Sequence, residues 1–445
     1  MELHLFNSLQ KKITKLNLQT GQIINIYLCG PTVYDHIHLG NLRPVIIFDI
    51  LHRLLLHLNI KVNYIQNITD IDDKIITKAQ KERKNEKTVS QHYTKAYLTN
   101  LVNYKVLLPT SLPRVTDFII PIQNFITELE KKGAAYSRTG GVFFRIENYP
   151  EYGRLSGQNL TKLKENTRET IAQNNKESKH DFALWKKTKN GLVWNSPWGE
   201  GRPGWHTECA VFIQEFFAAK TIDIHGGGND LLFPHHENER IQYLAHNNRE
   251  LSKVWLHVAH LHWKKQKMSK SLGNVILAKN FAQKYGTNVL RYLILSSPYR
   301  QVINLSEDLI QQAINYLKKI ENLLKRLNFY LYTGKIGVEK KPSHSNQNVI
   351  NCLLNDLDTP QVLFWLEKIR VVLNKKITQK ENNLDFKNTL ADLFFIFDLC
   401  GFNFEMQPYN LKTKLLIQKW QKLVQNKQYL QADQVRNELI KNNII

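Results

Sequence analysis

The sequence predicts an α/β fold on a parallel sheet, interrupted by an inserted subdomain and followed by an all-α C-terminal region. Three observations carry this. "INIYLCG" (24–30) is a β-branched run ending in a Gly/Pro turn. From about Leu39 the pattern becomes helical, through "VIIFDILHRLLLHL" (45–58), and "KVNYIQNITD" (61–70) reads as a second strand. Strand, helix, strand in that order opens a parallel sheet, and ligands of such sheets sit at the carboxyl ends of the strands. Cys29 and Thr69 both fall at those ends.

The remaining elements follow in order. A polar helix is expected over "DDKIITKAQKERKNEK" (72–87), within a first half-domain spanning 1–120. Residues 121–200 read as the insertion. "GGVFFRIENYPEYGRLSGQ" (140–158) gives short strands and turns, and "KLKENTRETIAQNNKESKHD" (162–181) gives a polar loop. The α/β pattern resumes over 201–300, where "TIDIHGGGNDLLF" (221–233) is a strand running into a glycine loop. Ser306 is a candidate N-cap, with Glu307 and Asp308 in the first turn and Leu309, Ala313, Leu317, Ile320, Leu324 and Leu327 as an apolar face. This helical region covers 301–332. Residues 333–348, "TGKIGVEKKPSHSNQN", are a linker, and 349–445 form a helical C-terminal domain of at least two amphipathic helices.

Composition narrows the class. The 445 residues allow two to four domains, and 42% hydrophobic with 22% charged residues fits a soluble globular chain. No apolar run is long enough for a membrane span, and the start lacks the pattern of a signal peptide. Four cysteines make no disulfide framework in a chain of this size, so a reducing cytoplasm is the expected setting. The net charge of +22 suits a polyanionic partner. It also fits a chain rich in Lys, Asn and Ile for compositional reasons alone, and charge by itself does not name RNA.

No Gly-x-x-x-x-Gly-Lys-Ser/Thr loop occurs, and no Gly-x-Gly-x-x-Gly follows the first strand. Three other motifs remain. "HLGN" (38–41) puts a histidine and a glycine where a helix begins, which suits either an anion on the free N–H groups or plain capping. "KMSKSLGN" (267–274) is a cationic loop suited to charge building on a departing polyphosphate, or a solvated lysine-rich turn. In "FPHHENE" (233–239), Pro234 suits a first helical turn, and His235 and Glu239 share a face four residues apart. That pair fits zinc or a surface ion pair. A zinc hydrolase with Glu237 as base is a rival, although the His-Glu-x-x-His order is missing. Cys352 and Cys400 lie in apolar helical surroundings and read as inert. Spacing joins neither Cys29 nor Cys209 to His235.

Together "CGPTVYD", "NITDIDDKI", "GRPGWH", "DIHGGGNDLLFPHHENE" and "KMSKSLGN", in this order, resemble the cysteinyl-tRNA synthetases. These are class I aminoacyl-tRNA synthetases with a Rossmann-like catalytic domain, and the likeness covers nearly the whole chain. "HLGN" stands where the class has His-Ile-Gly-His. The resemblance implies one Zn²⁺ held by Cys29, Cys209, His235 and Glu239, with the substrate cysteine recognised there by its sulfur. It implies ATP as substrate with Mg²⁺ on the phosphates. His38, Gly40 and Asn41 would contact ATP, and Lys267, Met268, Ser269, Lys270 and Ser271 would form the phosphate loop. His38, Asn41, Lys267 and Lys270 would carry the catalytic charge work. Gly227 and Asp230 would lie near the nucleoside, and Thr69, Trp205 and His225 would join Cys29 in the amino-acid pocket.

The implied partner is tRNA(Cys), met through basic faces such as Lys318, Lys319, Lys325 and Arg326, by a monomeric cytoplasmic enzyme. His36 receives no role from the family. Two departures stand out. Asn41 replaces the second signature histidine and cannot carry positive charge. The chain also stops soon after "QADQVRNELIKNNII", where many relatives continue. A cysteine-activating ligase for small amines and a silent RNA-binding paralogue are the alternatives within reach of the same motifs.

Overall fold

The computed structural model describes residues 1–158, 176–268, 273–337, 346–442 and 444–445. Most of the polar loop expected over 162–181, residues 269–272 of the lysine loop, and linker residues 338–345 lie outside them.

The chain opens with a hairpin, β1 (Glu2–Asn7) antiparallel to β2 (Lys12–Asn17). Then β3 (Ile23–Leu28), α1 (Leu39–His57) and β4 (Lys61–Gln66) form the expected parallel unit, in register Ile26 with Tyr64. The helix α1 starts where the apolar periodicity starts, and most of its length is buried. Its cation Arg43 is fully buried, and its guanidinium donates to the carbonyls of Ala259, His260, Pro298 and Gln301 at 2.6–3.3 Å. Burial lowers its pKa to about 10.

The polar helix expected over 72–87 is two helices. α2 (Asp73–Glu82) ends at Arg83 with φ 53°, a left-handed cap. α3 (Glu86–Asn103) restarts after Asn85, whose side chain accepts from Thr88 N–H at 2.7 Å. Next come α4 (Ile119–Lys131), β5 (Ala135–Arg138), β6 (Gly141–Phe144), β7 (Phe182–Lys187) and β8 (Gly201–Pro203). The four strands make an antiparallel sheet of their own, lying between the two halves of the parallel sheet in sequence.

The parallel pattern then returns with α5 (Thr207–Phe216), β9 (Ile222–Gly228), α6 (Glu237–Asn247) and β10 (Ser252–Val258). The central sheet runs β10–β9–β3–β4, all parallel, and β9 is buried along its whole length. A small sheet of β11 (Leu261–Trp263), β12 (Gln266–Lys267) and, after helices α7 (Ala278–Tyr285) and α8 (Thr287–Leu295), β13 (Ile303–Leu305) completes the strands among the described residues.

Ser306 caps α9 (Glu307–Thr333), accepting from Leu309 N–H at 3.2 Å. Its buried face runs through Ile310, Ala313, Leu317, Ile320, Leu323, Leu324, Leu327 and Leu331. Leu309, expected on that face, is half-buried, because the stripe centres on Ile310. The helices α10 (Gln347–Leu354), α11 (Thr359–Thr378), α12 (Leu384–Leu399), α13 (Leu411–Gln425) and α14 (Tyr429–Lys441) follow.

The chain divides into two compact units. One comprises 1–284, 297–305 and 354–357; the other comprises 285–296, 306–353 and 358–445. Among the described residues no helix is long and apolar enough to cross a membrane.

Candidate active site and metal centre

Four side chains from distant parts of the first unit converge beside the carboxyl end of the central sheet. Cys29 follows β3 directly, Cys209 lies in the first turn of α5, and Glu239 lies in the first turn of α6. Phe233 has extended backbone and helical backbone follows it, so Pro234 stands in a first helical turn as expected; His235 lies in that turn, which runs directly into α6 at Glu237. His235 and Glu239 meet, Nε2 to Oε1 at 2.6 Å.

The sulfurs of Cys29 and Cys209 are 3.8 Å apart, as free thiols. His235 Nε2 is 3.6 Å from Cys29 Sγ and 3.7 Å from Cys209 Sγ, and Glu239 Oε1 is 3.4 Å from Cys29 Sγ. All four ligand atoms lie within 4.8 Å of one another. Tetrahedral zinc, with bonds of about 2.3 Å to sulfur and about 2.1 Å to nitrogen, has sulfur–sulfur edges of about 3.8 Å and sulfur–nitrogen edges of about 3.6 Å. The observed edges match, apart from the His235–Glu239 edge, which is drawn in to an ion pair. Two thiols, an imidazole and one carboxylate are a donor set suited to zinc. A second grouping, Cys29, His225, His236 and Glu239, shares two of these donors.

The surrounding groups hold this cluster in place. His235 Nδ1 meets His206 Nδ1 at 2.9 Å, which leaves Nε2 facing the cluster. Glu239 Oε2 meets His225 Nε2 at 2.6 Å, and His225 Nδ1 meets Tyr27 O at 2.9 Å. Such outer partners orient metal ligands.

Burial works against charge on all of them. It pushes the Cys29 thiol well up, aided by Cys209 and Glu239. On Cys209 burial acts in the same direction, but hydrogen bonding from Cys29, then from His235, holds it below the ordinary thiol value. The Glu239 carboxyl is well below its usual range despite burial, because His235 and His225 favour its charge. His235 is raised despite burial, chiefly by Glu239.

His236 turns away to His257, Nδ1 to Nε2 at 2.7 Å. Glu237 Oε2 accepts from Ser156 N–H and Oγ–H, both at 2.8 Å, and Oε1 faces Arg240 at 3.6 Å. Glu237 is thus committed to structure and does not reach the cluster as a hydrolytic base.

The loop carrying Cys29 is pinned to the loop after β4. Gly30 N–H donates to Asn67 Oδ1 at 2.8 Å, and Asn67 Nδ2 donates to Thr69 Oγ1 at 3.0 Å. Thr69 N–H donates to Pro31 O at 3.2 Å, and Val33 N–H to Thr69 O at 3.1 Å. A Cβ on Gly30 would sit 1.7 Å from Asn67 O, so only glycine fits this approach. The half-buried Trp205 ring lies 4.5 Å from the His235 ring, centre to centre. It lines a small pocket with Asp72, Asp73, Arg202 and Glu208. Both Glu208 oxygens are buried without a hydrogen-bond partner, and burial, then Cys209, pushes this carboxyl well above its usual range.

His38 is the N-cap of α1. Its Nδ1 accepts from Gly40 N–H at 3.1 Å, and its own N–H donates to Asn41 Oδ1 at 3.1 Å, a reciprocal capping box. Gly227 is buried near the end of β9, and Asp230 is exposed in the turn that follows. Met268 is buried; the Lys267 side chain and Ser269, Lys270 and Ser271 lie outside the described residues.

A family model described as "tRNA synthetases class I (C) catalytic domain" matches residues 15–315. "Cysteine--tRNA ligase" of Mycoplasma mycoides subsp. mycoides is 45% identical over 447 residues, with 100% of each chain covered.

The chain belongs to the cysteinyl-tRNA synthetases.

Other members agree along the full length. The ligase of Mesoplasma florum is 41% identical, covering 99% of this chain and 100% of that one. The ligase of Onion yellows phytoplasma is 39% identical, covering 98% and 99%. Because these cysteinyl-tRNA synthetases match over their whole length, the C-terminal helices are part of the likeness. Among solved structures, methionyl-tRNA synthetase of Mycobacterium tuberculosis with methionyl-adenylate aligns with TM-score 0.62 at 14% identity, covering 85% of this chain and 89% of that one. The Agrobacterium radiobacter leucyl-tRNA synthetase in a ternary complex aligns with TM-score 0.62 at 10% identity, covering 89% and 88%. At such identities the likeness establishes the fold alone.

Sequence reasoning for this cysteinyl-tRNA synthetase missed Asn67, which ties Cys29's loop to Thr69, and His206, which sets the orientation of His235. Both lie inside quoted motifs, Asn67 at the start of "NITDIDDKI" and His206 at the end of "GRPGWH", but neither was given a role.

Proposed function

We propose that this enzyme activates L-cysteine with ATP and transfers it to tRNA(Cys), selecting cysteine through zinc held by Cys29, Cys209, His235 and Glu239. The observation that carries the reading is the convergence of those four donors at tetrahedral spacing. Zinc at this centre supplies a soft Lewis acid that favours a thiolate over a hydroxyl. The need for it is energetic. Cysteine and serine differ by one atom, and an apolar pocket separates such small differences by only about 1–3 kcal/mol. A thousandfold to ten-thousandfold preference requires roughly 4–5.5 kcal/mol.

The residues then position and stabilise. Thr69, Trp205 and His225 line the pocket around the substrate amino acid. Its carboxylate attacks the α-phosphate of ATP, the bond to the β-phosphate oxygen breaks, and pyrophosphate leaves, giving cysteinyl-adenylate. The 2′-hydroxyl of the terminal tRNA adenosine attacks the adenylate, and AMP departs. No protein nucleophile is needed, so rate comes from orientation and charge. His38, Gly40 and Asn41 face the triphosphate at the start of α1. Gly227 and Asp230 border the nucleoside. Lys267 and Lys270, in the loop with Met268, Ser269 and Ser271, stabilise the transferring phosphates together with Mg²⁺. The basic face of α9, including Lys318, Lys319, Lys325 and Arg326, meets the tRNA, and the enzyme acts as a monomer in the cytoplasm.

The deciding experiment is ATP–pyrophosphate exchange with cysteine and with serine, before and after metal removal. The expected result is loss of cysteine-specific exchange with the metal and its return with added zinc. A metal-free enzyme that still prefers cysteine a thousandfold would overturn the reading.

A further inference from the structure

The proposed reaction leaves His36 unused, and the structure gives it a partner. The turn at 36–39 pairs antiparallel with residues 276–279 in a single register. Leu39 N–H donates to Ile276 O at 3.0 Å, Ala278 N–H donates to Ile37 O at 3.0 Å, and His38 faces Leu277 between them. Continuing this register past Ile37 and Ala278 sets His36 opposite Lys279, and there Lys279 Nζ lies 3.0 Å from His36 Nε2.

An ammonium can only donate, so His36 Nε2 is the acceptor and the ring is neutral, with its proton on Nδ1. The ring is held from the other side as well. It stands edge-on to Tyr93 at 5.3 Å and to His92 at 6.1 Å, both on α3. Its own backbone N–H donates to Asp35 Oδ1 at 2.8 Å.

We infer that His36 is a positioning residue for ATP binding. Through Lys279 it fastens the start of α7 to the turn that carries His38, and so fixes the orientation of His38 and the N-terminus of α1. This rests on the reading that His38 and that helix start face the ATP phosphates. Among the described residues, the charged and titratable groups facing His36 include Asp35, Lys279, His92 and Tyr93, with Lys78 and Glu82 behind Tyr93. Protonating His36 replaces an accepted hydrogen bond by two cations at contact distance, so the clip opens as pH falls.

The test is steady-state ATP–pyrophosphate exchange on the zinc-replete full chain at saturating cysteine, reading the KM for MgATP. His36→Leu and Lys279→Met should each raise it about 3- to 10-fold, with the double variant no worse than either single. The KM for cysteine should move by less than about twofold, since uniform loss of ATP binding leaves the amino-acid pocket alone. His36→Gln offers an acceptor oxygen at any pH. It should restore the value measured at about pH 8 and remove that part of the wild-type rise between about pH 8 and about pH 6 that belongs to this imidazole.

An unchanged ATP KM in His36→Leu, multiplicative effects in the double variant, or no rescue by His36→Gln would each overturn the inference. Lys279 is exposed, so Lys279→Met tests the contact without a folding risk. His38→Ala separates the two levels. If exchange collapses there while His36→Leu is normal, only the His36 inference fails. If His38→Ala keeps a normal ATP KM, the reading of the turn itself fails.

Discussion

Cys209→Ser is the most direct perturbation of the metal centre. Cys209 is 1% exposed and its sulfur lies 3.8 Å from that of Cys29 and 3.7 Å from His235 Nε2. Serine keeps the shape, and its hydroxyl can hydrogen-bond to the same neighbours, so the fold should tolerate it. What is lost is a thiolate donor. Structural zinc sites are worth about 10–16 kcal/mol over four ligands, or roughly 2.5–4 kcal/mol for each. That corresponds to zinc held roughly 10²- to 10³-fold more weakly. The assay is zinc content per chain by chromophoric chelation, with cysteine-dependent ATP–pyrophosphate exchange on the same sample. The expected outcome is substoichiometric zinc after dialysis and exchange reduced toward the level seen with serine. Cys352→Ser, on α10 and not one of the four grouped donors, is the control and should leave both unchanged. A Cys209→Ser enzyme that keeps one zinc per chain and near-normal cysteine exchange would refute the ligand set.

Two further outcomes follow from the surroundings of the cluster. Gly30→Ala must move the Cys29 loop, because the new Cβ meets the backbone oxygen of Asn67 at 1.7 Å. A loss of about 1–3 kcal/mol in thermal stability together with weaker zinc retention is expected; normal retention would show that the loop yields without moving Cys29. His257 is held neutral, its pKa lowered from 6.5 to about 3 by burial and then by His225. Its folded value lies below its unfolded value, so the unfolded chain takes up the proton first as pH falls. The stability it contributes is complete above about 6.5 and lost progressively toward about 3. Thermal midpoints measured across that window should fall, and His257→Asn should flatten the fall; equal slopes for both proteins would contradict the assignment.

What the sequence made legible was local. A β-branched run before a Gly/Pro turn announced β3, the run over 61–70 announced β4, and Ser306 announced the start of α9. The Arg83 break between α2 and α3 was hidden, because a left-handed cap on a non-glycine residue leaves no compositional mark. Arg43 drew no reading from the sequence, and it is buried against four carbonyls contributed by residues 259–301. The metal centre was hidden for a related reason. Its ligands span 29 to 239 and meet only because β3 and β9 are sheet neighbours and α5 packs on α6. Spacing rules describe one helix or one turn, so no count of intervening residues could join Cys29 to Cys209. The family resemblance supplied that link, and the sheet order explains it.

The same distinction bears on Asn41, where the class signature has histidine. In this chain its side chain has two ends with separate duties. Oδ1 accepts the His38 N–H as half of the capping box, so the amide orientation is fixed and Nδ2 is left as a donor toward the start of α1. His38 is fixed in the same way. Its Nδ1 accepts from Gly40 N–H, so a neutral ring carries its proton on Nε2. Asn41→Asp separates capping from ATP contact. The carboxylate keeps the acceptor and adds negative charge at a helix N-terminus, a change worth about 0.3–1 kcal/mol in favour of the helix. It also removes the donor and, on the proposed reading of the ATP site, sets a negative charge beside the triphosphate. The thermal midpoint should therefore hold or rise while the KM for MgATP increases about tenfold or more, a loss of at least about 1.4 kcal/mol of binding. A general loss of structure would lower the thermal midpoint as it weakened ATP binding, so a raised KM with a held or raised midpoint is diagnostic. A stable Asn41→Asp enzyme with an unaltered ATP KM would show that this residue only caps the helix, and that the start of α1 holds the nucleotide through its backbone and His38 alone.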